Sequence, residues 1–418
     1  MKVISKKNKK GTDFIFVKKD FPSVTVLVLV RSGSEYEEKK NNGISHFIEH
    51  LCFKGTKTFP NYKDLLSEFD RHGIEYNAFT SYEYIGYWAR GSYDNLDNIL
   101  FLVNDILVNS IFPEEEIEKE KGVIIEEMNL YKDTPARYIW DLFLNTLYGD
   151  QPAGWPIIGL EKNIKKTKKQ DILNYYNKFY NSKNIVVIVA GNLKDKDIKK
   201  IFEKFSNIKE GERSLKPEFN KPKLPKIKIE KKEINQFHLG FGFLSFSIKD
   251  KNYIVASLLS KIIGGMMSSR MFLEIREKLG AAYYIRTEND GFIDHGYLAT
   301  FAGIKKELIY EALDSMVSVY KSIRDKIEKD EFEKAKENMI AKFIMSLEMS
   351  TDYAWFFGID KILKGKIEDP KEIIKKIKEI KIQQVEDIAR KIINKNNAAI
   401  SLIGEIDEKK IRKFLEKL

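Results

Sequence analysis

The chain has 418 residues, 43% of them hydrophobic and 32% charged, with a mean hydropathy of −0.38, which is too long for one ordinary core and too apolar for intrinsic disorder. Its 72 Lys+Arg and 62 Asp+Glu interleave along helical stretches, so the net charge of +10 describes an ion-paired surface and argues against nucleic acid as a partner. No apolar run reaches the ~18 residues that span a bilayer, and the charged start MKVISKKNKKGTDF lacks the apolar core of a secretion signal.

A soluble, unexported, cytoplasmic protein without membrane contact is therefore expected. Its single cysteine, Cys52, rules out an intrachain disulfide. From the N-terminus, FIFVKK and SVTVLVLVRSG alternate as two strands of a hairpin. GISHFIEHLCFKG, NYKDLLSEFDRHG and SYDNLDNILFLVNDILVN have helical periodicity, and EYNAFTSYEYIGYWAR, among them, predicts a strand pair. FPEEEIEKEKGVIIEEMNLYKD begins a further helix, with Pro113 fitting the first turn and three glutamates complementing the helix dipole.

At about 206–233 the composition breaks. Pro217, Pro222 and Pro225 fall among seven lysines between Lys216 and Lys232, without helical periodicity, which predicts an extended linker. The stretches on either side look related. Residues 164–193 align without gaps on 377–406, pairing Gln170 with Gln383, Asn184 with Asn397 and Gly191 with Gly404, and residues 116–128 align on 331–343. A duplicated unit of about 200 residues follows. The expected fold class is α+β, with homologous domains over 1–208 and 233–418 joined by a linker over 209–232. Each domain is an antiparallel or mixed sheet covered by helices on one face.

His46 and His50 lie four apart in GISHFIEHLCFKG, on one face of a helix, with Glu49 on the same side. Two neutral imidazoles beside a carboxylate suit a zinc site at which the acid takes the proton of a metal-bound water. A third protein ligand must come from elsewhere. Glu120 and Glu127, two turns apart on one helix face, both have the reach. His72, His238 and His295 lack ligand-spaced partners.

HFIEHLCFKGT, whose His50 is followed after 76 intervening residues by the second acid of the Glu120/Glu127 pair, resembles the pitrilysin family of zinc metallopeptidases. Insulin-degrading enzyme and mitochondrial processing peptidase belong to that family. The resemblance implies His46, His50 and Glu127 as ligands of one zinc, Glu49 as general base and Glu120 as an auxiliary acid. EYNAFTSYEY is similar to the family's substrate-pairing edge strand, which implicates Asn77, Ala78 and Phe79 in binding peptide. IIGGMMSSRMFLEIREKLGAAYYI resembles the stretch carrying the family's Arg/Tyr pair, here Arg276 and Tyr283, whose guanidinium and phenol can donate to a substrate carbonyl or its oxyanion.

The second half has no HxxEH, and Ala335 and Lys342 stand where Glu120 and Glu127 pair. It therefore resembles the family's metal-free domain. Cys52 reads as a small core residue. The resemblance implies a zinc-dependent endopeptidase acting on peptides or unfolded segments in an enclosed chamber. With two domains rather than four, the chain needs a second copy, so a homodimer is expected, a paralogous partner being the alternative. A processing peptidase that removes presequences is the rival activity. A structural assembly subunit is the rival class, disfavoured because such subunits lose zinc ligands that are all present here.

Overall fold

The computed structural model covers residues 1–418. Its chain forms two compact units, neither of them a contiguous stretch. The first takes residues 1–129, 155–218 and 346–368, and the second takes 130–154, 219–345 and 369–418.

The first unit is built on a six-stranded sheet of β1 (Lys2–Lys7), β2 (Asp13–Lys18), β3 (Val24–Val30), β4 (Glu75–Thr80), β5 (Ile85–Gly91) and β6 (Ile185–Gly191), in the order β1-β2-β6-β3-β5-β4. Only β2 and β6 run parallel. Strand alternation sends Val24, Val26, Val28 and Val30 to one face. There they share a core with Phe14, Phe16, Val187 and Val189. Helices α1 (Ile44–Leu51), α2 (Tyr62–Arg71) and α3 (Leu96–Val108), with helix Lys169–Phe179, bury their apolar stripes against that face.

Leu27, Leu29 and Ile188 point the other way, against helix Ser350–Ile359. Gly358 allows close approach there, since a Cβ at that position would lie 3.0 Å from Leu29, 3.1 Å from Ile188 and 3.3 Å from Leu27. Thr25 adds a hydroxyl contact to Ser350 at 2.8 Å.

The long helix α4 (Glu114–Lys132) leads into α5 (Pro135–Tyr148), which belongs to the second unit. The sheet of that unit comprises β7 (Lys226–Glu230), β8 (Gln236–Leu244), β9 (Ala282–Gly291), β10 (Gly296–Lys305) and β11 (Ala398–Ile403), in the order β7-β11-β8-β10-β9. β7 and β11 are its parallel pair. Leu239, Phe241 and Phe243 face a helical layer that includes Tyr253–Gly264, Ile309–Asp325 and Ile382–Ile392. On the opposite face Trp140 of α5 stacks on Phe301 at 4.0 Å, and Phe143 lies against Gly240.

The α+β class and the mixed sheets agree with expectation. Beyond the one helical layer foreseen, each sheet carries a helix on its second face, contributed by the other half of the sequence. α5 follows α4 just as Ser350–Ile359 follows Lys329–Met345, so these two helices hold corresponding places in the repeat and have been exchanged. The aligned stretches 164–193 and 377–406 each form a helix with matching ends and then a strand with a matching start, Lys169–Phe179 with β6 and Ile382–Ile392 with β11.

Three expectations are corrected. β2 and β3 do not form a hairpin, because the wholly buried apolar strand β6 lies between them and pairs with both. The cut at 209–232 does not separate the units, since each needs a helix from beyond it. Nor is 209–232 a free tether. Lys216 is buried between Glu35 and Glu83, at 2.6 and 2.9 Å, and Lys226–Glu230 is strand β7, whose Ile227 and Ile229 pack on the second core.

Candidate metal centre and active site

α1 is only eight residues long. Ile44, Phe47, Ile48 and Leu51 recur at helical spacing and are sunk in the core, which turns His46, Glu49 and His50 toward the inner end of β4 and toward α4. Glu127 arrives from α4. Its Oε2 lies 3.6 Å from His46 Nε2 and 3.7 Å from His50 Nε2, and the donor atoms of all three residues fall within 4.8 Å of one another. Tetrahedral ligands at zinc distances are separated by about 3.3–3.6 Å. Two imidazole nitrogens and one carboxylate oxygen at this spacing fit zinc.

The protonation states suit metal binding. Burial, helped by the His50 charge, pushes His46 down to about 3 and keeps its imidazole neutral. Burial also acts to lower His50, but its hydrogen bond to Glu120 and the charges of Glu49, Glu120 and Glu127 outweigh it and raise this histidine. Nδ1 of His50 meets Glu120 Oε2 at 3.0 Å, and the other oxygen of Glu120 takes an ion pair from Lys54 Nζ at 2.7 Å. Burial would raise Glu120, yet His50 and Lys54 together hold it below the usual carboxylate range. An ionised Glu120 draws the His50 proton to Nδ1 and leaves the Nε2 lone pair facing Glu127.

Glu49 is not part of that triangle. Its Oε2 accepts a hydrogen bond from the Thr80 hydroxyl at 3.0 Å, and burial raises its pKa above the ordinary glutamate value. A carboxylate that holds a proton more readily than usual suits general acid–base work. Thr80 is the last residue of β4, an edge strand paired only with β5. The Ala78 N–H on β4 donates to the Asn77 side chain at 2.8 Å, and the Phe79 ring packs, tilted, against Trp355 with centroids 4.4 Å apart.

In the second unit, Arg276 Nη1 donates to the main-chain carbonyl of Tyr283 at 2.8 Å, and the guanidinium sits over Phe272. Tyr283 is 79% exposed. The structure therefore gathers His46, Glu49, His50, Glu120 and Glu127 with the end of β4 in one unit, and pairs Arg276 with Tyr283 in the other. Cys52 is a core residue whose thiol burial pushes up to about 12. His72, His238 and His295 contact Asn98, Tyr284 and Asp294.

Sequence reasoning missed Lys54 and Thr80. Lys54 had a usable signal, standing one turn beyond His50. Thr80 had none, because its contact depends on how β4 meets α1.

Comparison with known proteins follows the same lines. Residues 15–161 match the model of the insulinase family, peptidase family M16, and residues 166–339 match the model described as the peptidase M16 inactive domain. The chain is 34% identical to a protein from Rickettsia felis described as an uncharacterized zinc protease, over 92% of this chain and 93% of that one. It is 32% identical to the zinc protease YmxG of Bacillus subtilis, likewise described as uncharacterized, over 90% and 92%. In fold it resembles a protease from Helicobacter pylori, with a TM-score of 0.90, 24% identity and coverage of 97% and 99%. A Pseudomonas fluorescens structure described as a peptidase M16 inactive domain also gives 0.90, at 17% identity, covering 97% and 98%. Matched in both halves by the family's models and over nine tenths of its length by relatives named as zinc proteases, the chain belongs to peptidase family M16.

Proposed function

We propose that the chain is a zinc-dependent endopeptidase in which His46, His50 and Glu127 hold the metal and Glu49 moves the proton. The observation that carries this reading is the approach of both histidine Nε2 atoms to one oxygen of Glu127, with the half-buried Glu49 carboxylate alongside. Bound there, zinc supplies a Lewis acid that makes water acidic near neutral pH and polarises the scissile carbonyl.

The side chains divide the remaining work. Glu49 takes the proton of the attacking water and returns it to the departing amine, while Thr80 holds the carboxylate in place. Glu120, kept ionised by Lys54 and His50, fixes the His50 ring. The free edge of β4 accepts an extended peptide as an added strand, and Asn77 releases the Ala78 N–H to it. Arg276 and Tyr283 supply donors for peptide carbonyl oxygens. A second copy of the chain completes an enclosed chamber, so that size rather than sequence selects the substrate. A one-chain mass by light scattering at micromolar concentration would overturn the dimer.

Hydrolysis of a quenched fluorescent peptide tests the activity. Chelation is expected to abolish it and added zinc to restore it. Turnover that persists after verified metal removal would refute the zinc mechanism.

Zinc binding should also report the two histidines separately. His46, held at about 3, carries no proton for zinc to displace at neutral pH. His50, raised from its ordinary value, carries one as the pH falls through and below neutrality. Affinity is therefore expected to fall by about tenfold per pH unit over that range, one proton being displaced per zinc. Calorimetry in buffers of different ionisation enthalpy measures this number. A value near two would show that His46 also titrates there.

A further inference from the structure

His50 and His46 are held differently. The outer nitrogen of His50 is gripped by Glu120, whereas Nδ1 of His46 is buried and has no hydrogen-bond partner. Metal-binding histidines ordinarily take their ring direction from a bond at that second nitrogen. For His46 the direction is left to the main chain that carries it and to the edge-on packing of its ring against His50, with centroids 4.5 Å apart.

That main chain is held by Glu37, an acid no part of the mechanism uses. Its side chain is 1% exposed. One oxygen accepts from the Gly43 N–H and from Asn42 Nδ2, and the other accepts from the Ser45 N–H, all at 2.8 Å. Gly43, the residue before α1, offers no side-chain cap, so the carboxylate of Glu37 satisfies first-turn donors that would otherwise be stranded in the core. Ser45 directly precedes His46.

The surroundings leave this grip little play. Asn42 Nδ2 also reaches the Pro156 carbonyl at 3.1 Å, and Asn163 Nδ2 donates to the Asn42 carbonyl at 3.2 Å. Gly43 adopts φ of +102°, and a Cβ there would come within 2.8 Å of Gly159 Cα. No cation offsets the buried charge, and burial pushes Glu37 up to about 7. An acid sunk at such cost, bonded only to the start of this one helix, points to a demand on where the helix begins.

We propose that Glu37 is a positioning residue for zinc. By fixing the first turn of α1 it aims the His46 ring, whose Nδ1 no side chain holds. The inference rests on the assignment of zinc to His46, His50 and Glu127.

The test uses the full-length chain and two readouts independent of peptide cleavage. These are zinc affinity by competition with a chromophoric chelator, and the visible spectrum of the cobalt-substituted protein. Glu37→Gln keeps the shape but sets an amide N–H₂ against N–H donors. It is expected to weaken zinc by about 10–100-fold, the range for outer-shell partners of metal ligands, and to change the cobalt band intensities. Asn42→Ala removes one donor and should weaken zinc less, in the same direction. This second variant keeps the inference testable if Glu37→Gln does not fold.

A purely structural Glu37 would lower the unfolding midpoint while leaving affinity per folded molecule and the cobalt spectrum as in the wild type. That result would overturn the proposal. Unchanged affinity in folded Asn42→Ala would do the same. A wild-type chain that binds no zinc would instead overturn the metal site itself, so the two failures are distinguishable.

Discussion

Glu49→Gln is expected to lower kcat/KM on a quenched peptide by about 10²–10⁴-fold, or roughly 3–5 kcal/mol of transition-state stabilisation, with zinc content unchanged. The amide has the volume of the carboxylate and can still accept the Thr80 hydroxyl, so the local packing survives. It cannot take a proton from water. Metal analysis and calorimetry should therefore match the wild type while turnover collapses. A variant that loses its zinc would show Glu49 to be part of the metal site, and one with wild-type turnover would remove it from the mechanism.

A fragment ending at residue 218 is expected not to fold. It contains every strand of the first sheet and all of the candidate zinc ligands, yet it lacks helix Ser350–Ile359. Leu27, Leu29 and Ile188, which that helix covers, would face water. At about 1.5–3 kcal/mol for each large apolar side chain the loss is roughly 5–9 kcal/mol, comparable to the 5–15 kcal/mol by which whole domains are stable. Circular dichroism with denaturant should show no cooperative transition. A fragment that unfolds cooperatively at the midpoint of the full chain would show that the exchanged helix adds nothing to the first unit.

Much of the candidate site was legible because it lies on short local patterns. The HxxEH helix combines an apolar stripe at Ile44, Phe47, Ile48 and Leu51 with polar residues in register on the other side. The β4–β5 pair is local, with strong alternation. The repeat was legible as well, because its aligned helices share both ends and its aligned strands start at the same place. What could not be read depends on contacts far apart in sequence. β6 inserts between β2 and β3 from more than 150 residues away, and nothing in their local pattern shows it. Helix Ser350–Ile359 is apolar around most of its surface, so it has no single face to name its sheet. β7 was hidden among lysines, where Ile227 and Ile229 alone carry the strand signal. Glu37 lies in an unremarkable charged stretch, and only the folded loop brings it under α1.

The exchange of helices also sets a timetable for biosynthesis. When residue 191 has been made, all six strands of the first sheet exist, but their cover helix is not complete until residue 359. At typical synthesis rates of about 5–20 residues per second, this gap lasts roughly 8–30 s. α5 waits in the opposite sense, translated before any strand of the sheet it covers. A nascent chain thus carries the candidate zinc ligands long before the sheet beside them is closed, and the apolar face around Leu27 and Leu29 is the surface that a ribosome-associated chaperone would have to guard.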